Sequence, residues 1–394
     1  MKASFMCSMT YQDPAAHHYA GGWPVPPRLF DTATGQRTYD DFLEWSAMAD
    51  DLGFDWVSVS EHHYAPLIIA PSTGVMAGAL SQVVRRARIA LLGPLAPVNN
   101  PVRTAEEIAM LDHLTHGRLI VLPLRGTINE FSCYAPIDPA KAKGMTQEAT
   151  RLIQKALSEP EPFAWEGEFF QYPCVSVWPQ PVQRPFPPMY FSGNSSDSAM
   201  FAAANHLGIC FSFHPTETVA AKVAQYREAA ARAGWEPTPE HLLYRGFIVV
   251  ADTEAEAARL EQSFVPPRFA ESIAANKRYQ LTGTNGAAAQ ALPEDWARGG
   301  AAQPDQGPVG FGLGRLLFAG TPDTIVERIR AFHEATGVGI LDFILTAGNT
   351  PHDAIQRGLE LLGREVLPRI RGIGESPAAN ATNTGTNREV AAWT

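Results

Sequence analysis

Cysteine is scarce in this chain: four in 394 residues, Cys7, Cys133, Cys174 and Cys210, far apart and without C-x-x-C spacing. That argues against a disulfide framework or a cysteine metal cluster and fits reduced thiols in a cytoplasmic protein. No apolar run approaches the ~20 residues that span a bilayer, and the N-terminal MKASFMCSMTYQDP has neither the apolar length nor the cleavage pattern of a secretory leader. It reads as a first strand, with no membrane role. Basic runs are also missing, and a formal charge of −10 opposes binding to nucleic-acid phosphates. Small molecules or proteins are the expected partners. There is no internal repeat.

What is present is a full core and a regular rhythm. Apolar residues make up 45% of the chain, enough for one large domain. Strand-like runs at 3–8, 54–60, 88–95, 118–124, 188–192, 208–213, 243–250 and 340–346 alternate with helical patterns. Eight strands in βαβ order fit a closed (β/α)8 TIM barrel better than a doubly wound sheet. Pro101 opens one helix and Gly117 ends it; Thr321-Pro322 and Gly337 bracket another, with Ile325, Ile329, Phe332 and Thr336 as its apolar stripe. Asp112 shares a face with Val102, Ala105, Ile108 and Ala109, so it must find a donor in the core. Three stretches break the rhythm: 11–37, which contains His17, His18 and Trp23, 265–315, and the tail 375–394. The first is expected over the strand C-termini and the second resembles a lid. The tail has the composition of a disordered segment. The domain is therefore expected over 1–374.

The most informative stretch is GFDWVSVSEHHYAP, 53–66, where an apolar strand empties directly into Glu61, His62 and His63. The C-terminal edge of a parallel sheet is where ligands bind. The plain alternative is a strand-end loop whose histidines only hydrogen-bond backbone. Glu-His-His lacks the i, i+4 spacing of a helical zinc site, so no metal is expected. Arg125-Gly126 with Asn129, Glu130 and Phe131 places a permanent cation beside a flexible turn, suited to a phosphate. SGNSSDS, 192–198, offers hydroxyls and free N–H groups at a helix start. Two anion-binding elements on one face suggest a phosphorylated cofactor.

GFDWVSVSEHHY, NNPVRTAEEIAMLDHLTHGR, RGTINEF, WEGEFF, QPVQRPFPPMYFSGNSSDS and AGTPDTIVERI occur in the order in which they stand in one family. Together they resemble the bacterial luciferase-like family of flavin-dependent monooxygenases, from the first strand to about residue 370. The resemblance implies reduced FMN at the C-terminal end of the barrel, reaction with O2 through a flavin C4a-peroxide, and oxygenation of a small organic substrate. It implies His62 as the catalytic residue, Arg125 on the flavin phosphate, and Gly193, Asn194, Ser195 and Ser198 in the loop around that phosphate. It places Leu92 and Gly93 beneath the flavin ring, joined by a non-proline cis peptide. Leu124 stands where luciferases proper carry a cysteine, so light emission is not implied. A separate reductase supplying reduced flavin and a homodimer are further implications. GFGLG, 310–314, lacks the spacing of a nicotinamide-binding turn.

Tyr11, Trp23, His63 and Tyr64, with Phe5, are candidates for an apolar substrate pocket, although aromatic residues on a barrel more often belong to the core. Arg268, Lys277 and Arg278 in 265–315 are candidates to approach phosphate or substrate. The alternatives are an F420-dependent oxidoreductase of the same superfamily and a flavin-binding protein without catalysis. A hydrolase using Glu61 and His63 lacks a G-x-S-x-G nucleophile.

Overall fold

The computed structural model describes residues 1–17, 19, 24–126, 130–134, 137–263, 317–346 and 350–374. His18, Trp23, Asn129, the segment 265–315 with Arg268, Lys277, Arg278 and GFGLG, and the tail 375–394 lie outside the described residues.

Eight parallel strands form the barrel: β1 Lys2–Met6, β2 Trp56–Val59, β3 Arg88–Leu95, β4 Leu119–Leu124, β7 Tyr190–Ser192, β8 Gly208–Ser212, β9 Leu242–Val250 and β11 Ile340–Ile344. They pair in the order β4-β3-β2-β1-β11-β9-β8-β7. The remaining gap is spanned by a parallel bridge between Val121 and Met189, with Val121 N donating to Pro188 O at 3.0 Å. All eight expected strands are present. Three short strands are additional. β5 Phe163–Glu166 and β6 Gln171–Val175 make an antiparallel hairpin outside the barrel, and β10 Phe318–Gly320 pairs with the second half of β9. The hairpin is held by Glu148, which accepts from Trp165 Nε1 and the amides of Phe169 and Phe170 at 2.9 to 3.1 Å.

The period of two along each strand sorts side chains between two apolar layers. In β3, Ile89 and Leu91 join the large core between strands and helices, while Ala90 and Leu92 pack inside the barrel with Trp56, Ile120, Leu122 and Tyr190. Helix boundaries follow local chemistry. Asn100 caps Pro101–Leu114, and Gly117 adopts a left-handed φ of 75° after it. Gly337 ends Pro322–Thr336 at φ 71°, and the predicted stripe of that helix is buried. Asp112 finds the donors it needs in Gln183, accepting from its backbone and side chain, both at 2.7 Å. The loop expected over 11–37 ends earlier, because Asp31 caps the helix Thr32–Leu52 through Thr34 N. Among the described residues no helix is long and apolar enough to cross a membrane.

Candidate active site

The chain leaves β2 at Val59 and places Glu61, His62 and His63 at the barrel's C-terminal edge in different environments. His63 turns inward, its side chain 1% exposed, with Nε2 at 3.1 Å from the buried Glu61 carboxylate. Glu61 also accepts from Leu95 N and Asn99 Nδ2, both at 3.2 Å, which ties the β2 loop to the end of β3. His62 remains 27% exposed and sets Nδ1 at 3.1 Å from Glu130. A carboxylate only accepts, so Glu130 fixes the proton on Nδ1 of His62 and Glu61 fixes it on Nε2 of His63. The two adjacent histidines thus hold opposite tautomers.

Three further groups surround this pair. Tyr64 takes a φ of 56° and donates to Cys133 O at 2.9 Å, and Tyr134 lies edge-on to His63 with ring centroids 5.1 Å apart. Burial pushes the Cys133 thiol up to about 12, and the Glu130 and Glu61 charges add to the effect. A thiol held there stays protonated at neutral pH, so it cannot serve as a thiolate nucleophile.

Tyr11, His62, His63, Tyr64 and Tyr134 line one cavity of about 380 Å³, roofed by the chain from Val25 to Phe30. Tyr11 is fully buried and stacks on Phe30 at 5.2 Å. Phe5 belongs instead to the core and packs on Phe54. The expected cofactor residues do not line this cavity. Leu92 and Gly93 lie at the end of β3, and the peptide between them is cis. A Cβ on Gly93 would fall 1.6 Å from Leu122 O, which excludes any side chain there.

The residues expected to hold an anion follow β4 and β7. Arg125 follows β4, is solvent-accessible, and makes no hydrogen bond or ion pair among the described residues. The desolvation it does undergo lowers its pKa. After β7, Ser195 caps the helix Ser196–Ala204 by accepting from Ser198 N, and its Oγ lies 2.8 Å from Ser198 Oγ. Gly193 is forced by packing, since a Cβ would meet Phe211 at 2.6 Å. Sequence reasoning missed two basic groups here. Lys222 donates to Asn194 O at 2.9 Å, and His214 Nε2 is 3.2 Å from Asn194 Oδ1. Desolvation lowers both pKa values, with the Lys222 charge adding to the shift at His214. A guanidinium without a partner among the described residues, a helix N-terminus and the ammonium beside it are each groups suited to a phosphate.

A second unanticipated feature lies inside the barrel. Arg245 and Asp342 are opposed in the register of β9 and β11, and Arg245 Nε donates to Asp342 Oδ2 at 2.7 Å. Ser58 donates to the other carboxylate oxygen at 2.7 Å. Ser60 donates to Leu92 O at 2.6 Å, and Arg245 Nη1 reaches the same carbonyl at 3.3 Å. Arg245 Nη2 is buried without a partner among the described residues. No motif marks this set. The available signal was period two, which turns Arg245 and Asp342 to the same inner face as Leu243 and Ile340.

A family model described as luciferase-like monooxygenase matches residues 20–338. The oxygenase component of the flavin-dependent trigonelline monooxygenase of Acinetobacter baylyi is 25% identical over 352 residues, covering 86% of this chain and 92% of that one. An uncharacterized protein of Sinorhizobium fredii, y4wF, is 33% identical over 169 residues, and the match spans 43% of this chain and only 49% of that protein. Among solved structures, the oxygenating constituent of 3,6-diketocamphane monooxygenase from Pseudomonas putida, a type II Baeyer-Villiger monooxygenase in complex with FMN, superposes with a TM-score of 0.67. It is 21% identical and covers 93% of this chain and 98% of its own. An F420-dependent secondary alcohol dehydrogenase shares the barrel at a TM-score of 0.63 and 17% identity, over 94% of this chain and 99% of its own.

Proposed function

The chain belongs to the luciferase-like monooxygenase family, and from that membership we propose that it is the oxygenase of a two-component system that takes reduced FMN from a separate reductase and oxygenates a small organic substrate with O2. The observation that carries this reading is the row of groups at the strand C-termini. It runs from His62 with its Glu130 partner, past Leu92–Gly93 and the unpaired Arg125, to the Ser195-capped helix with Lys222.

Bound reduced flavin would supply the electrons that activate dioxygen. In this reading Arg125, the amides at 193–198 and Lys222 hold its phosphate, and the Leu92–Gly93 peptide supports its ring. Arg245 and Ser60, both bonded to Leu92 O, fix that peptide in place. His62 holds or moves a proton at Nε2 while Glu130 steadies the ring.

Anaerobic equilibrium titration with reduced FMN, and in parallel with reduced F420, tests the assignment. Stoichiometric binding of reduced FMN is expected, weakened about tenfold or more in Arg125→Ala. Preferential retention of F420 would move the protein to the hydride-transferring branch represented by the alcohol dehydrogenase structure.

A further inference from the structure

The wall of the cavity between the Val25–Phe30 chain and the Glu61–Pro71 loop carries no Asp, Glu, Lys or Arg among its described residues. Its tyrosine hydroxyls are already engaged. Tyr11 Oη accepts from Asp31 N at 2.6 Å, Tyr39 donates to Ile69 O at 2.6 Å, and Tyr64 donates to Cys133 O at 2.9 Å. Tyr134 Oη lies 3.4 Å from His63 Nδ1, and the other nitrogen of that ring is bound to Glu61. Of the side-chain polar atoms on this wall, His62 Nε2 alone has no hydrogen bond among the described residues. Because Glu130 fixes the proton on Nδ1, Nε2 presents a lone pair and acts as an acceptor.

We propose that the substrate is a neutral, largely apolar compound carrying a hydroxyl of phenol or enol type, bound in this cavity with its O–H donating to Nε2 of His62. This rests on the oxygenase reading above and names the substrate class of the same site. An anion entering the cavity would lose its hydration without meeting a counter-charge on the described wall, and a cation would fare no better. An ether or hydrocarbon of the same shape would leave Nε2 buried and unsatisfied. The volume of about 380 Å³ falls within the ~300–1,000 Å³ of small-molecule pockets, and the stacked Tyr11 and Phe30 rings offer flat apolar contact. When the substrate O–H ionises, its proton passes to Nε2, the electron pair stays on the substrate oxygen, and Glu130 stabilises the imidazolium. The resulting oxyanion is the more electron-rich partner for an oxygen-transferring reagent.

The test is direct binding to the full-length protein, followed by fluorescence or calorimetry, with three naphthalene probes: 2-naphthol, 2-methoxynaphthalene and 2-naphthoate. FMN affinity is measured separately on each preparation. 2-Naphthol is expected to bind, the ether about three- to tenfold more weakly for the loss of one hydrogen bond, and the carboxylate more weakly still. In His62→Phe the alcohol and ether should bind alike. Leu29→Trp, which fills the cavity, should abolish naphthol binding and leave FMN binding unchanged. The proposal is overturned if naphthoate equals or exceeds naphthol, if the ether matches the alcohol in the parent protein, or if none of the probes binds. Retained naphthol discrimination in a protein that does not bind FMN would instead unseat the oxygenase reading and leave the ligand class of the cavity standing.

Discussion

The Glu130 carboxylate lies 3.1 Å from Nδ1 of His62, and it does so from the loop that follows β4, so the histidine of one strand end is oriented by the next strand but one. Positioned proton transfer typically contributes ~10²–10⁴-fold. Removing the ring in His62→Ala should therefore lower product formation at least about 100-fold, with FMN affinity nearly unchanged. Glu130→Gln keeps the shape but replaces a carboxylate that can only accept with a neutral amide that can also donate, so the His62 tautomer is no longer fixed. It should reduce turnover less than the loss of His62 and shift the pH profile. Parent-level single-turnover yield in His62→Ala would return the Glu-His-His sequence to a structural role.

Arg125→Ala removes a guanidinium that has no competing partner among the described residues, so its effect should appear in ligand binding and leave stability intact. Losing charge-assisted hydrogen bonds to a phosphate costs about 1.5–3 kcal/mol, or tenfold or more in affinity. FMN titration of the variant reads this, and thermal melting of the ligand-free protein serves as its control. An unchanged dissociation constant would remove Arg125 from the cofactor site.

Much of this architecture was legible because strands buried on both faces read as apolar runs, and their ends carry residues with no packing reason to be there. Glu61, His62 and Arg125 stood out in that way. The hairpin Phe163–Val175 did not, since its strands are short and largely exposed, and nothing local marks its anchor, Glu148, which sits inside the preceding helix. Arg245 was hidden for a different reason. A single arginine in a strand looks like a solvent-facing residue until the register opposes it to Asp342, and that pairing joins positions 97 apart in sequence. Lys222 was likewise invisible, because only the turn of its helix against the 193–198 loop brings it to Asn194.

Asp50 gives the fold an acid-sensitive joint. Its carboxylate accepts from the amides of Arg85, Arg86 and Ala87 at 2.6 to 2.9 Å, which fixes the entry into β3. Burial alone would raise its pKa, but the three amides and the Arg86 charge outweigh burial and leave it below the usual carboxylate value. A depressed folded pKa means that its contribution is fully present above the unfolded value of ~3.9 and is lost as pH falls through the lower folded one. Asp50→Asn should cost about 1–3 kcal/mol at neutral pH and flatten the acid limb of the stability curve. Denaturation midpoints for both proteins between neutral pH and pH ~3 check this, and parallel acid limbs would rule it out.

The Arg245–Asp342 pair separates stability from function. Its side chains are 9% and 0% exposed, so both charges are buried. Removing one partner strands the other, and Asp342→Ala should destabilise the barrel by about 3–5 kcal/mol. Replacing both with apolar residues of similar size, Arg245→Met with Asp342→Leu, removes the stranded charge along with the pair, and such exchanges are often neutral for stability. If the pair served stability alone, the double variant would resemble the parent in every assay. Arg245 Nη1 also donates to Leu92 O, and among the described residues its Nη2 is a buried donor without a partner. The double variant should therefore melt close to the parent yet bind FMN more weakly or oxygenate less. Chemical denaturation of the single and double variants, combined with FMN titration, separates the two roles. A double variant with parental FMN affinity and product yield would make the pair a structural device only.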